Sequence, residues 1–424
     1  MLFLHAADIH IDSPLTGLPD YPGAPVDEIR NATREAFRNM TELAVEREVD
    51  FVVIAGDLYD GDWKSYDTGL VFREQMARLH KAAIPVFIVL GNHDAQSRIT
   101  KSLTLPENVH VFAHRKSETV KLDDLRVALH GQSFKTQEVT DDLAANYPKP
   151  VEGYFNIGVL HTAADGRGDH LPYAPCSVGE LSAKGYDYWA LGHVHKREIL
   201  SDAPHIVFPG NLQGRHIRET ALEGKGCTLV SVDEGGKATL SHEPVDTVRW
   251  NAVTVDVSGV ETMGALVDRA RNELIKAHDE ADGRILAARV TVAGDTRFHG
   301  WLLLDGESLL SEVRGAGMDV AIGEVWIEKV VVATQPTASL EDLSAYGGML
   351  GDVARKLKEL QKDNVFREDL TDVLKPLFEK LPAEVLERTP ELQTMKDGGE
   401  AFEEVMRQAS DIVVTRLAGV EIDE

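Results

Sequence analysis

The amino-acid sequence predicts a layered α/β fold for residues 1–245 of a chain of 424 residues. Short apolar runs typical of buried strands alternate with longer stretches whose apolar residues recur every three or four positions. This alternation indicates sheets covered by helices. Because the chain is longer than one typical hydrophobic core allows, we expect two or three domains.

The N-terminal region contains predicted strands joined by predicted amphipathic helices. One helix, over 26–48, places Phe37, Met40 and Ala44 at helical spacing, and a second covers 68–81. The predicted strands cover 2–6, 51–55, 86–90, 127–130, 156–161, 188–191, 206–208 and 227–232. Strands of this length with few polar residues are typical of sheets buried on both faces.

A smaller α/β unit and a helical region follow. Within the unit, over 250–335, strands are predicted at 252–257, 285–293 and 324–333, with helices at 261–278 and 307–315. The region 339–424 is predicted to be helical, with a break at Pro376 and a final helix over 399–417. An apolar stripe supports its first part and comprises Leu340, Leu343, Val353, Leu357 and Leu360. The sequence therefore predicts three domains, over 1–245, 250–335 and 339–424.

The composition is that of a soluble globular protein, with 43% hydrophobic and 27% charged residues. No stretch approaches the roughly 20 apolar residues of a membrane span, and the first residues predict a strand rather than a signal peptide. The two cysteines, Cys176 and Cys227, lie far apart in sequence, as in a protein of a reducing compartment. We therefore expect a cytoplasmic protein with no membrane contact.

The formal net charge of −26 is unusual for a protein that binds nucleic acid. Such proteins commonly present a basic surface to the phosphate backbone. A polyanionic substrate must therefore be attracted locally, by metal ions, by a restricted basic patch or with the help of a partner.

Five short polar motifs occur where predicted strands end and loops begin. Ligands collect in such loops, at the carboxyl ends of strands in open α/β sheets. The motifs are Asp8-Ile9-His10, Gly56-Asp57, Gly91-Asn92-His93-Asp94, His161 and Gly192-His193-Val194-His195. They predict one shared site at the edge of a sheet.

The side chains of these motifs suit a pair of divalent metal ions. Carboxylate, imidazole and amide donors match Mn²⁺, Fe²⁺ or Zn²⁺. If residues 8–10 are extended, Asp8 and His10 point the same way and reach one ion, and His193 and His195 share that spacing. Asp57 could bridge two cations, and ions about 3.5–4 Å apart can bind a phosphodiester and activate a water. His93 is then free to protonate the leaving oxygen or to stabilise the transition state.

Each motif alone has little specificity. A single D-x-H or H-x-H is more often a solvated turn or a buried structural histidine, and G-D after a strand is commonly a turn. The ordered set of five, each after a predicted strand, is specific. It therefore carries the prediction of a metal-dependent phosphoesterase.

The ordered set resembles that of the calcineurin-like metallophosphoesterases. Within them, the chain is similar to bacterial DNA-repair exonucleases of the SbcD/YhaO kind. The closer likeness lies in 3–15, in 56–60 and in 209–216, which reads Pro-Gly-Asn-Leu-Gln-Gly-Arg-His. The resemblance implies a two-sheet metallophosphoesterase sandwich flanked by helices, with a small α/β cap domain and a helical C-terminal segment.

The same resemblance implies roles for individual residues. One metal would be held by Asp8, His10, Asp57 and His195, and the other by Asp57, Asn92, His161 and His193. His93 would be the catalytic histidine. The chain departs from the pattern at Asp60, where many double-strand-break nucleases have a histidine. That departure leaves open whether duplex ends are handled in the same manner.

The resemblance also implies partners. It indicates a DNA exonuclease or endonuclease of DNA repair that prefers Mn²⁺ and works with an SMC-type coiled-coil ATPase of the SbcC/YhaN kind. A homodimer is a further expectation. The C-terminal helices could bind the ATPase through an apolar stripe or could instead pack back on the protein.

Further basic residues are candidates for binding substrate phosphate. Arg215 and His216 follow a strand and a Pro-Gly-Asn turn, and they could equally form a hydrogen-bond cluster that stabilises the loop. Arg98 and Lys101 follow His93 and could instead lie on a solvated helix face.

Two other functions remain open from the sequence. The first is a small-molecule phosphodiesterase or phosphatase on the same core, which the acidic net charge favours. The second is a non-catalytic DNA-end tether in an ATPase complex, which the complete ligand set and His93 disfavour.

Overall fold

A computed structural model describes most of the chain as two compact units. The first comprises Met1–Asn251 and His278–Ala287, and the second comprises Ala252–Ala277 and Ala288–Glu424. The described residues are 1–13, 24–60, 67–96, 105–166, 173–221, 223–345, 347–382, 389–396 and 398–417.

The first unit contains two six-stranded sheets. One has the strand order β12-β11-β1-β2-β3-β4 and the other the order β5-β6-β7-β8-β10-β9. The strands are β1 (Leu2–Ala6), β2 (Phe51–Ala55), β3 (Val86–Val89), β4 (Val109–Val111), β5 (Glu118–Leu122), β6 (Val127–Gly131), β7 (Phe155–His161), β8 (Tyr188–Gly192), β9 (Glu198–Asp202), β10 (His205–Phe208), β11 (Gly226–Val232) and β12 (Ala238–Pro244). The predicted two-sheet α/β architecture is confirmed.

The two sheets pack face to face around a continuous apolar core. Phe3 stacks on Phe51 with ring centroids 5.0 Å apart, and its edge meets Tyr188 of the other sheet at 5.3 Å. All three side chains are fully buried. Each contributes roughly 1.5–3 kcal/mol through burial, so the sandwich fixes the strand ends on which the polar motifs lie.

Helices cover the outer face of the sheet that contains β1. Phe37 and Met40 of α1 (Val26–Glu46) pack with Phe72 of α2 (Asp67–Lys81) over Ile54 of β2. Two shorter helices in this unit are α3 (Asn92–Gln96) and α4 (Val178–Ala183). The apolar positions that predicted α1 are therefore among those that pack on the sheet.

The third sheet has three strands in the order β13-β14-β15 and lies largely in the second unit. Its strands are β13 (Val248–Asp256), β14 (Ile285–Thr296) and β15 (Val325–Pro336). The helices that follow β13 are α5 (Met263–Glu280), α6 (His299–Leu304), α7 (Gly306–Val320), α8 (Leu340–Ser344), α9 (Met349–Lys362), α10 (Asn364–Phe378), α11 (Pro390–Lys396) and α12 (Glu400–Leu417).

The C-terminal region is helical, as predicted, but one detail differs. Pro376 was expected to end a helix, yet α10 continues through it to Phe378. A proline disrupts a helix chiefly by removing one hydrogen bond and by crowding the preceding turn. Because Pro376 lies two residues before the end of α10, the lost hydrogen bond and the crowding are confined to the C-terminal part of the helix.

The last helix packs inside the second unit. Helix α12 lies against α6, with Phe402 and Met406 buried. Next to this contact, the ring of His299 on α6 shares a 2.8 Å hydrogen bond with Thr334 and lies 3.4 Å from the carboxylate of Asp411. Part of the C-terminal region, helix α12, therefore packs into the second unit and contributes to its stability. None of the helices in the described ranges is both long and apolar enough to cross a bilayer.

Candidate metal centre

The first unit brings polar side chains from five strand ends to one edge of the sandwich. Asp8 and His10 follow β1, Asp57 follows β2 and His161 is the last residue of β7. Two groups have ligand atoms that all lie within 4.8 Å of one another. The groups are Asp8, His10 and His195, and Asp8, Asp57 and His161. Asn92 begins α3 after β3, and its amide oxygen lies 2.9 Å from His161 Nε2.

The backbone that carries these side chains is not extended, which corrects the expectation for residues 8–10. Asp8 and His10 have φ values of 50° and 47°, Asp57 has 53° and His193 has 108°. Such left-handed conformations are uncommon outside glycine and concentrate at functional sites. Asp8 and His10 still converge on one site, because their N–H groups donate to the carbonyls of Gly56 and Asp57 at 3.0 Å.

Two glycines of the motifs are required by close packing. A Cβ on Gly91 would lie 2.2 Å from Asp57 Oδ1, and a Cβ on Gly56 would lie 2.4 Å from His161 Nδ1. Gly56 also has φ +96°, which side chains rarely tolerate. The glycines before Asp57 and Asn92 therefore let neighbouring loops approach closely enough to share a site.

In the first group, His195 is oriented by a carboxylate. Its Nδ1–H donates to Glu219 Oε1 at 2.7 Å, so Nε2 presents its lone pair. His10 Nε2 lies 3.1 Å from that atom. Two ring nitrogens that converge at this distance suit a shared cation, and an acidic partner on the other nitrogen is typical of metal-binding histidines.

In the second group, His161 is oriented by a backbone carbonyl. Its Nδ1 lies 2.9 Å from the carbonyl oxygen of Ala55, to which it donates. Nε2 faces Asn92 Oδ1 at 2.9 Å and Asp57 Oδ2 at 3.4 Å. Both of these oxygens are acceptors, so a cation or a second ring proton must lie between them and Nε2.

The electrostatics of the second group fit a bound cation. Burial raises the pKa of Asp8, whereas for Asp57 the charge and hydrogen bond of His161 outweigh burial and lower the pKa. Burial lowers and Asp57 raises the pKa of His161, with a net rise to about 9. Buried carboxylates require compensating positive charge, which either a proton on His161 or a divalent ion can supply. The donor set therefore fits divalent metals.

His193 joins the site through its backbone and its ring. Its N–H donates to both oxygens of Asp8, at 3.1 and 2.9 Å. Its ring meets that of His161 with centroids 5.2 Å apart. The loop after β8 therefore places His193 on the side of His161 and His195 on the side of His10.

His93 lies beside the two groups and is partly exposed. Its Nδ1 is 3.2 Å from Asp60 Oδ1, and its ring meets the ring of His10 edge-on with centroids 5.2 Å apart. Asp60 also accepts a 2.8 Å hydrogen bond from the Ser13 hydroxyl. With Nδ1–H directed at the carboxylate, the other nitrogen of His93 remains for substrate. Asp60, which departs from the nuclease pattern, therefore orients the catalytic candidate.

Two supporting residues were not predicted from the sequence. Glu219 accepts the His195 hydrogen bond, and Asp94 accepts from the N–H groups of Leu58, Tyr59 and Gly91 at 2.9–3.2 Å. Burial and then the charge of Asp57 raise the pKa of Asp94 to about 7. Asp94 lies within the motif Gly91-Asn92-His93-Asp94, so its place in that motif could have identified it as a site residue. The sequence around Glu219 contains no comparable motif.

Two of the four candidate phosphate-binding residues, Arg215 and His216, lie within the described part of the chain. Arg215 is largely buried, donates to the Ser13 hydroxyl at 3.0 Å and lies 3.5 Å from Glu219. His216 is 39% exposed and lies 3.6 Å from the same carboxylate. These contacts match a hydrogen-bond cluster around the loop. Arg98 and Lys101 lie outside the described residues.

Known proteins match this chain in sequence, either over part of it or along nearly its whole length. Residues 1–197 match the family described as calcineurin-like phosphoesterase. Residues 250–335 match that described as metallophosphoesterase YhaO, middle domain. An "Uncharacterized metallophosphoesterase YhaO" of Bacillus subtilis (strain 168) is 32% identical over 427 residues, with 98% of each chain covered. This chain belongs to the calcineurin-like metallophosphoesterase family.

More distant relatives of this metallophosphoesterase carry a functional name. A protein of Methanopyrus kandleri is 26% identical over 282 residues, covering 61% of this chain and 60% of the relative. One of Sulfurisphaera tokodaii is 23% identical over 271 residues, covering 61% and 66%. Both are named "DNA double-strand break repair protein Mre11". The metallophosphoesterase family uses divalent metals, in agreement with the donors at the sheet edge.

Proposed function

We propose that this metallophosphoesterase is a metal-dependent DNA nuclease, an exonuclease or endonuclease that hydrolyses phosphodiester bonds with two divalent ions. The observation that carries the metal-dependent hydrolysis in this proposal is the convergence of Asp8, His10, Asp57, His161 and His195 at one sheet edge, with His93 beside them. Hard and borderline donors of this kind favour Mn²⁺, with Fe²⁺ or Zn²⁺ as alternatives.

The proposed ligand sets share Asp57. Asp8, His10, Asp57 and His195 would hold one ion, and Asp57, Asn92, His161 and His193 would hold the other. Asp8 lies within ligand distance of both groups of donors, so it could also contact the second ion.

The residues of the chain supply orientation and proton transfer. When bound, the two ions would polarise the phosphodiester and supply an activated water. Glu219 and the Ala55 carbonyl fix the rings of His195 and His161 before substrate arrives. His93 would deliver a proton to the leaving oxygen, and Asp60 would keep its ring in place.

DNA as the substrate rests on the relatives rather than on the site. Two relatives are named for DNA double-strand break repair, and their matches cover 61% of this chain. A small phosphodiester or phosphomonoester is the second candidate, favoured by the net charge of −26. We propose that the protein acts in DNA repair in the cytoplasm.

Helix α10 is the proposed binding surface for an SMC-type ATPase partner. Val365, Val373 and Leu377 are 67%, 73% and 55% exposed and are spaced by multiples of four residues, so they form one stripe. An exposed apolar stripe suits the groove of a partner helix or coiled coil. A homodimer is a further proposal.

One experiment separates the two candidate substrates. The purified protein is analysed for metal content and then assayed on labelled DNA and on bis(p-nitrophenyl) phosphate, after chelation and after Mn²⁺ addition. We expect Mn²⁺-dependent cleavage of DNA. Strong turnover of the small diester with no DNA cleavage would refute the nuclease function and retain the phosphoesterase.

A further inference from the structure

A cleft of about 860 Å³ opens beside the candidate metal centre, with His193 and His195 on its wall. Five cationic side chains line it and will be called the basic cleft residues: Lys196, Arg197, Arg215, Arg218 and Lys225. Three carboxylates also line it, those of Glu198, Glu219 and Glu223. Cations therefore outnumber carboxylates by five to three here, whereas the whole chain has 44 against 70.

The wall of the cleft is held in place by buried contacts. The carbonyl of His195 accepts a 2.6 Å hydrogen bond from Lys225 Nζ and a 3.3 Å hydrogen bond from the Asn211 N–H. Lys225 is only 7% exposed, and burial lowers its pKa. The segment that continues from the metal ligand into Lys196 and Arg197 is therefore fixed relative to the metal centre.

Three of the five cations are available to a ligand. Arg215 contacts Glu219 and Ser13, and Lys225 donates to the backbone. Within the described residues, by contrast, no ion pair or hydrogen bond is recorded from the side chains of Lys196, Arg197 and Arg218. Lys196 and Arg218 are exposed, while Arg197 Nε is buried without a hydrogen-bond partner.

We propose that the basic cleft binds the phosphates of a DNA strand adjacent to the phosphate held at the metal centre. This inference rests on the proposed nuclease function and specifies where the strand runs. A phosphomonoester has no second phosphate to place in the cleft, whereas a strand presents one at each nucleotide. Contacts of this kind supply most sequence-independent affinity for DNA, and arginine binds phosphate oxygens with two hydrogen bonds. The cleft also supplies the local basic surface that an acidic chain needs.

The test is DNA binding with cleavage prevented. A short fluorescein-labelled single-stranded oligonucleotide is titrated with the full chain in a chelating buffer, and anisotropy is followed over a range of salt concentrations. The variant is Lys196→Gln/Arg197→Gln/Arg218→Gln. A matched control removes equal charge from the exposed face of α2, as Arg73→Gln/Arg78→Gln/Lys81→Gln. Thermal unfolding of both variants checks their folding.

We expect the cleft variant to bind roughly tenfold or more weakly than wild type, and the salt slope of log K to fall by about 2, because each strand contact contributes about 0.7. The control should bind as wild type does. If the triple variant fails to fold, Lys196→Gln/Arg218→Gln changes only exposed residues and should show a smaller loss in the same direction.

The outcomes separate this inference from the nuclease function. Wild-type cleavage of DNA together with unchanged affinity and salt slope in the cleft variant would overturn the inference alone. Absence of measurable oligonucleotide binding by wild type would also overturn it. Cleft-dependent binding without any Mn²⁺-dependent cleavage would instead refute the nuclease and leave the cleft as a DNA-binding site.

Discussion

The loops at the sheet edge and helix α10 depart from the usual distribution of side chains in opposite ways. At the sheet edge, Asp8, Asp57 and His161 are buried, although charged groups normally face water. On α10, the apolar side chains Val365 and Val373 are mostly exposed. Partners for the buried polar groups lie within the chain, so their chemistry follows from it. The partner proposed above for the exposed stripe would be another protein.

The largest expected effect is on the sheet-edge side of this comparison. Asp57→Asn keeps the size of the side chain and removes the charge proposed to be shared by two ions. We expect hydrolysis of bis(p-nitrophenyl) phosphate with Mn²⁺ to fall roughly a thousandfold or more, because several kcal/mol of transition-state stabilisation depend on the ions. Elemental analysis should show metal loss. Asp27→Asn on α1 is exposed and serves as the control. Retained metal and turnover in Asp57→Asn would contradict the shared-ligand role.

Removing the catalytic candidate should leave the metals in place. His93→Ala should lower turnover by about 10²–10⁴, the usual contribution of a proton-transferring side chain. Metal content should match wild type, since Asn92 and not His93 is a proposed ligand. The exposed His80→Ala is a matched control. Loss of metal along with activity would make His93 a ligand or a structural residue instead.

Asp60 sharpens this prediction through a double-mutant cycle. Its carboxylate contacts His93 Nδ1, so Asp60→Asn should lower turnover by a smaller factor than His93→Ala. Because Asp60 would act through His93, adding Asp60→Asn to His93→Ala should cause no further loss. An independent, additive loss would show that Asp60 acts on the metals or on Arg215, which lies 3.7 Å away.

A smaller effect is expected where the support of a ligand, rather than the ligand itself, is changed. Glu219→Gln retains an oxygen that can accept from His195 Nδ1 but removes the charge. We expect metal affinity to fall between about 10-fold and 100-fold, as is typical for such outer partners. The Mn²⁺ dependence of turnover measures this shift. Glu152→Gln, at an exposed position, should leave the dependence unchanged, and an equal affinity in both variants would refute the role of Glu219.

The elements of the fold differ in how well the sequence predicts them. The strands that flank the motifs are continuous apolar runs, so β1, β2 and β3 were predicted within one residue. Strands such as β9 and β12 alternate half-buried and exposed residues, so they contain no apolar run from which they could be predicted. At the site, the residues brought together lie at the ends of β1, β2, β3, β7 and β8. In the sheets, β1, β2 and β3 are neighbours in chain order, as are β7 and β8, so their ends lie side by side.

Features that depend on distant residues were not predictable. Glu219 lies 24 residues beyond His195, in a 3-10 turn with no apolar pattern, and only the fold brings them together. The left-handed backbone at Asp8 and His10 was also missed, because non-glycine residues adopt it only when tertiary contacts hold them there. In the tail, helical periodicity was visible, but which apolar residues α12 would bury and which α10 would expose was not.

Helix α10 should show the smallest effect on hydrolysis and a specific effect on assembly. Deleting 339–424 would also remove α12 and expose its contact with α6, so point substitutions are the cleaner test. Val365→Ser/Val373→Ser/Leu377→Ser removes the stripe from solvent-facing positions. The free energy of unfolding should change by only about 0.5 kcal/mol per site, as at other surface positions. Turnover of bis(p-nitrophenyl) phosphate should remain within about twofold of wild type, since none of the proposed ligands is touched.

Co-purification with the coiled-coil ATPase should, in contrast, be lost in this variant. Exposed apolar residues at helical spacing contribute to binding only when a partner covers them, so their removal affects the complex far more than the free protein. Glu368→Ser/Asp372→Ser/Lys375→Ser changes three exposed polar positions of the same helix and should retain the complex. If the stripe variant bound the ATPase as tightly as this control, α10 would not be the docking surface. A second copy of this chain would then be the next candidate to test for covering these apolar residues.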